Sequence, residues 1–102
     1  FLDVGTGTGI LAVAAAKIQG KRKKAKGKIT ACDTDFEAII IAEENAAING
    51  ADDIEFFAGS ISDDTPEFDF VCANLTADVI APLLPLLTAK TKRILVLSGI
   101  LK

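Results

Sequence analysis

The chain has 102 residues, room for one domain and one hydrophobic core. Half of its residues are apolar and the mean hydropathy is +0.40. The longest apolar run, VIAPLLPLL at 79–87, holds two prolines and falls well short of the ~18 residues of a membrane span. A net charge of −3 gives no overall attraction for nucleic acid, and two cysteines with no histidine exclude the familiar zinc constellations.

In chain order, FLDV at 1–4 reads as the end of a strand, and ILAVAAAKI at 10–18 as a helix of good formers with Ile10, Leu11, Ala14 and Ile18 on one side. KRKKAKGK at 21–28 gathers six of the eleven basic residues. It reads as a solvated loop, with a contact to RNA phosphates as the alternative. KITAC at 28–32 is a second strand. Thr34 or Asp35 can cap a helix through FEAIIIAEENAAIN at 36–49, which Gly50 ends as a left-handed terminator. IEFFA at 54–58 and FDFVCAN at 68–74 are the third and fourth strands. A helix follows within 77–89, where Pro82 and Pro85 must stand near the first turn or produce a kink. RILVLSGI at 93–100 is the fifth strand.

Strands and helices alternate through short connections, which predicts an α/β fold with a parallel sheet and right-handed crossovers. High hydropathy without a membrane span fits strands buried on both faces. Asp3, Asp33, Ser60 and Asn74 all fall at the carboxyl ends of strands, where such sheets bind ligands.

The stretch DVGTGTGIL at 3–11 carries the chemistry. Gly5, Gly7 and Gly9 occupy the turn into the first helix, where residues without side chains let a ligand reach the main chain. The spacing lacks the Gly-Lys-Ser/Thr of a P-loop. It also departs from G-x-G-x-x-G, whose third glycine would fall on Ile10, and this disfavours a nicotinamide oxidoreductase. Asp3 would repel a pyrophosphate but suits a cationic amino group. S-adenosylmethionine has such a group, a carboxylate for a helix N-terminus, and no phosphate. Asp33 is placed to accept hydrogen bonds from two ribose hydroxyls.

With these residues in view, FLDVGTGTGILAVAAAKI resembles the first motif of the class I S-adenosylmethionine-dependent methyltransferases. AGSISDD at 58–64, FDFVCANLTADVIAPLLPLL at 68–87 and ILVLSGILK at 94–102 are similar to the bacterial ribosomal protein L11 methyltransferase family. The resemblance implies a Rossmann-like sheet, mostly parallel, in strand order 3-2-1-4-5. It places Gly5, Thr6 and Gly7, with Asp3 and Gly9, around the methionine moiety. Asp33 falls at the ribose, Ser60 and Ile61 beside the adenine, and Asn74 near the transferable methyl as the catalytic residue, with Thr34 a further cofactor-binding position. It further implies N-methylation of a ribosomal protein, on lysine side chains or the N-terminal amine, in the cytoplasm, with no stable nucleic-acid partner and no membrane. An RNA or small-molecule acceptor, or cofactor binding without turnover, are the alternatives. Asn-Leu-Thr-Ala at 74–77 lacks the prolines of the Asn-Pro-Pro-Tyr branch. The sequence departs from the family at Asp33-Thr34-Asp35-Phe36, where Asp-Ile-Asp-Pro is usual, and at AKTKR, where a Pro-Gly-Gly turn usually precedes strand five. The expectation is a fragment of a catalytic domain, truncated at both ends.

Without a histidine, no residue is nominated as base; a lysine acceptor, with an ordinary pKa of about 10.4, loses its proton to burial and to a neighbouring positive charge. Asn74 then orients the neutral amine. In the order 3-2-1-4-5, Cys32 and Cys72 lie two strands apart at ~4.8 Å per strand, beyond disulfide reach, so both thiols are expected to be free.

Overall fold

A computed structural model describes residues 1–20 and 27–99. Strand β1 is Leu2–Val4, helix α1 Ile10–Gly20, β2 Ile29–Asp33, α2 Phe36–Ile48, β3 Ile54–Ala58, β4 Phe68–Asn74, α3 Ala77–Ala89 and β5 Thr91–Ser98. Most of the basic run lies outside the described residues. The five strands form one sheet in the order β3-β2-β1-β4-β5, and all four pairings are parallel. Both features agree with the sequence reading.

Register decides which side chains share a face. Val4 pairs with Cys32 and Ala73, while Asp3 pairs with Ala31 and Cys72. Leu2, Val4, Cys32, Val71 and Ala73 pack beneath α3 with Leu87, Phe68 and Ile61. On the other face Ile29 and Ala31 meet Ala12 of α1, and Val13 meets Ala46 of α2. Cys32 and Cys72 therefore stand on opposite faces of the sheet as well as on different strands, and both are free.

Two local expectations change, and a third, the placing of the two prolines, narrows to one of its alternatives. The bulky side of α1 is the exposed one: Ile10 is 72% and Ile18 59% exposed, while Ala12 and Val13 are buried. Small side chains let this helix settle close to the sheet, and close packing outweighs the larger apolar area of the other side. Pro82 and Pro85 sit in the interior of α3, beyond its first turn. Both are exposed, as are Asp78 and Ala81 four residues earlier, so the carbonyls left without an N–H partner lie on the water side of the helix. Finally, burial on both faces holds for β1 and β2 but not for β4 and β5. Phe70, Ile94 and Val96 are each 41–52% exposed on the face that α1 and α2 cover only farther along the sheet.

Gly50 adopts φ +68° just beyond α2, and its N–H donates to Ala47 O, as the terminator reading requires. Asp35, rather than Thr34, caps that helix: its Oδ1 accepts the Glu37 N–H at 3.0 Å. Among the described residues no helix is long and apolar enough to cross a membrane.

Candidate functional site

The carboxyl ends of β1, β2 and β4 converge on the glycine turn. The N–H groups of Gly5 and Thr6 both donate to the Cys32 carbonyl at 2.9 Å, which ties the start of the turn to the end of β2. The Gly9 N–H donates to Thr6 O at 2.9 Å, and the Val13 N–H to Gly9 O at 2.9 Å, so the turn passes directly into α1.

The three glycines serve different purposes. All have positive φ, at +79° for Gly5, +58° for Gly7 and +82° for Gly9. A Cβ on Gly5 would lie 2.6 Å from the Asn74 carbonyl oxygen, and one on Gly9 would lie 2.9 Å from Ala42 Cβ. Gly5 thus admits β4, and Gly9 admits α2. Only at Gly7 would a Cβ meet nothing within 4 Å. Of the three, Gly7 is thus the one with open space at its Cβ position, while Gly5 and Gly9 allow protein to approach protein.

Two carboxylates flank the turn in opposite environments. Asp3 is 2% exposed, and its Oδ2 accepts the Thr6 hydroxyl at 2.7 Å. Burial pushes its carboxyl above the ordinary value; the Thr6 hydrogen bond opposes the shift and the nearby Asp33 adds to it. Asp33 is half-buried. Its Oδ2 accepts the Gly7 N–H at 2.9 Å and its Oδ1 the Asp35 N–H at 2.9 Å. Each carboxylate oxygen has two lone pairs, so both keep the capacity to accept another donor. Asp33 is thus a presented acceptor, whereas Asp3 is buried against the Thr6 hydroxyl, which is itself buried.

The remaining sequence candidates divide between lip and core. Asn74 is exposed at the end of β4, pairs with Ser98, and has its backbone against Gly5. Thr34 and Ser60 are exposed at the ends of β2 and β3. Gly59, at φ +144°, donates its N–H to Asp33 O at 2.8 Å, which brings the β3 end beside Asp33. Ile61 turns its side chain into the core beneath α3, leaving only its backbone for the rim. Two further residues take part that no motif in the sequence marked. Gly99 (φ +69°) leaves no room for a Cβ against the Asn74 side-chain oxygen, so β5 closes over Asn74 with bare backbone. The Asn45 amide nitrogen on α2 donates to the Thr8 carbonyl at 2.9 Å. Gly99 was open to the strand-end argument that found the others; an asparagine within a helix gives a weaker signal.

Among the described residues no group of three or more histidine, cysteine, aspartate or glutamate side chains could hold a metal ion. The arrangement is one of binding and orientation: bare main chain at Gly7, an acceptor at Asp33, a buried acid at Asp3, and an exposed amide at Asn74.

A protein-family model described as "Ribosomal protein L11 methyltransferase (PrmA)" matches residues 1–102. The ribosomal protein L11 methyltransferase of Myxococcus xanthus is 44% identical over 100 residues, covering 98% of this chain and 33% of that protein. Among solved structures, the ribosomal protein L11 methylase of Lactobacillus delbrueckii subsp. bulgaricus aligns with a TM-score of 0.83 and 36% identity, over 97% of this chain and 50% of that one. An RNA methyltransferase from Salinibacter ruber, solved with S-adenosyl-L-homocysteine, aligns with a TM-score of 0.72 and 27% identity over 89% of this chain. The chain spans about a third of the length of the curated relatives it matches.

Proposed function

Because the chain belongs to the ribosomal protein L11 methyltransferase family, we propose that it forms the S-adenosylmethionine-binding core of an enzyme that methylates amino groups of that ribosomal protein. The acceptor amines are lysine side chains or the N-terminal amine, and the setting is the cytoplasm, without a membrane or a stable nucleic-acid partner. The observation that carries the reading is the open main chain at Gly7 with the Asp33 carboxylate bonded across it.

The residues fit the cofactor. Gly7 leaves space where a side chain would stand, and the helix N-terminus just beyond it suits a carboxylate. Asp33 would accept the ribose hydroxyls without giving up its bonds to Gly7 and Asp35, since each oxygen has a lone pair to spare. Thr6 and Asp3 bear on the ligand amino group as a pair, with the hydroxyl in front and the negative charge behind it. Thr34 and Ser60 line the rim towards the ribose and adenine, with Ile61 contributing backbone.

When bound, S-adenosylmethionine supplies a sulfonium-linked methyl group open to attack by an amine. Asn74 receives the neutral amine through its side-chain oxygen, and its place is fixed by Gly5 on one side and Gly99 on the other. Holding reactants in line is worth up to ~7–11 kcal/mol in well-oriented systems, so a site that only orients can account for much of a rate enhancement.

Two experiments test this. Calorimetry with S-adenosylmethionine is expected to show saturable binding that Gly7→Ala weakens strongly. Radiolabelled methyl transfer to purified ribosomal protein L11, assayed with the full-length protein, is expected to fall in Asn74→Ala with cofactor affinity nearly unchanged. Binding of NAD in preference to S-adenosylmethionine would overturn the reading.

A further inference from the structure

The glycine turn is held at nearly every step by groups of the sheet. Cys32 O holds the Gly5 and Thr6 amides, Asp33 the Gly7 amide, and Asp3 the Thr6 hydroxyl. The Thr8–Gly9 peptide is held differently. Its N–H end donates back into the turn to Thr6 O, while its C=O end is held from α2, by Asn45 Nδ2 at 2.9 Å. A carbonyl can only accept, so the amide of Asn45 must turn its nitrogen towards Thr8. Thr8 itself is exposed, and the glycines on either side of it have the widest backbone freedom of any residue.

A peptide unit is planar, so fixing its oxygen and its N–H at once fixes the whole unit. Released at the oxygen, the unit can rock about its bonds to the Cα atoms of Thr8 and Gly9, and the main chain leading back to Gly7 loses its set orientation. We propose that Asn45 is a positioning residue for the cofactor turn, clamping the Thr8–Gly9 peptide from α2 so that Gly7 is presented in one conformation before the ligand arrives. The inference rests on the cofactor reading above for its consequence, but the clamp itself is a contact within the chain. The contact of Gly9 with Ala42, one turn earlier on α2, brings the two helices close enough for the amide to reach. The gain is one of pre-organisation: a ligand that meets an ordered turn has less to immobilise.

The test uses two substitutions of opposite electrostatic sense. Asn45→Ala removes the donor; it improves helix propensity, so the urea midpoint is expected to stay close to that of the wild type. Asn45→Asp keeps the shape but sets a carboxylate oxygen against the Thr8 carbonyl. Affinity for S-adenosylmethionine is expected to fall about tenfold in Asn45→Ala, as for the loss of one hydrogen bond, and at least as far in Asn45→Asp. A bare charge effect would act the other way, since an added negative charge tightens the grip on a cationic ligand. In the unliganded chain, hydrogen exchange at the Gly9 amide is expected to quicken in both variants. Unchanged Gly9 exchange, or tighter binding by Asn45→Asp, overturns the clamp. Failure of the wild type to bind S-adenosylmethionine overturns the cofactor reading instead, and Gly9 exchange then decides the clamp alone.

Discussion

Gly7 and Gly9 are two residues apart and share a left-handed backbone, yet alanine at the two positions should do different damage. Placing alanine at positive φ costs ~1–2 kcal/mol, and its smaller unfolded-state entropy returns ~0.4–1 kcal/mol. At Gly7 nothing lies within 4 Å of the new methyl, so the net loss of stability is about 1 kcal/mol. At Gly9 the methyl would stand 2.9 Å from Ala42 Cβ and 3.2 Å from Ala42 Cα. The latter atom is backbone and cannot step aside, so an overpacking cost of ~1–3 kcal/mol is added and the loss reaches about 3 kcal/mol. Against a total stability of about 5–15 kcal/mol for a domain, that difference is easily read by urea denaturation. Binding should follow the reverse order: Gly7→Ala, with its methyl in the space proposed for the ligand, loses most affinity per unit of lost stability. Adding Ala42→Gly to Gly9→Ala should recover at least ~1 kcal/mol beyond additivity, because the two positions are in contact. Equal stability losses at both glycines, or wild-type affinity in Gly7→Ala, would refute the division of roles.

Asp3 makes the protein acid-tolerant in one window. Its folded pKa is raised by burial, so the folded state holds the proton more tightly than the unfolded state; the stabilisation is complete below the ordinary value of 3.8 and is lost as pH rises through the folded pKa. Asp3→Asn should therefore raise the melting temperature at pH 7 and flatten its pH dependence just above pH 3.8, measured by circular dichroism; a lower melting temperature at pH 7 would contradict the burial argument. Burial pushes the Cys32 thiol up to about 11, so at pH 8 alkylation mapped by mass spectrometry should mark Cys72 well before Cys32, and equal rates would count against the packing. Asp33→Ala releases the Gly7 and Asp35 amides together and should cost about 1–2 kcal/mol of stability by urea titration, with a larger loss of S-adenosylmethionine affinity by calorimetry than Thr34→Ala.

What could be read from the sequence depended on how far apart the cooperating residues lie. The strands, their parallel sense and the helix stops follow from local signals: apolar runs of strand length alternating with helices, the cap at Asp35, the terminator at Gly50; the order of the strands came with the family resemblance. The glycine spacing likewise pointed to the candidate site. Its meaning was only partly local, because Gly5 answers to Asn74 and Gly9 to Ala42, partners that come near only once the sheet and helices are assembled. Helix α1 shows the same limit in another form. Its sequence offers a large apolar side at Ile10, Leu11 and Ile18 and a small one at Ala12, Val13 and Ala16, and hydropathy favours the first. The fold buries the second, because a turn built from bare backbone brings the helix axis close to the sheet and leaves depth only for small side chains. Gly9 and the alanine side are thus one solution: a turn pressed against α2 at Ala42 needs a helix that can follow it inward, and the same approach brings Asn45 to the Thr8 carbonyl. The packing that decides which side of α1 is buried is also the packing that fixes the turn.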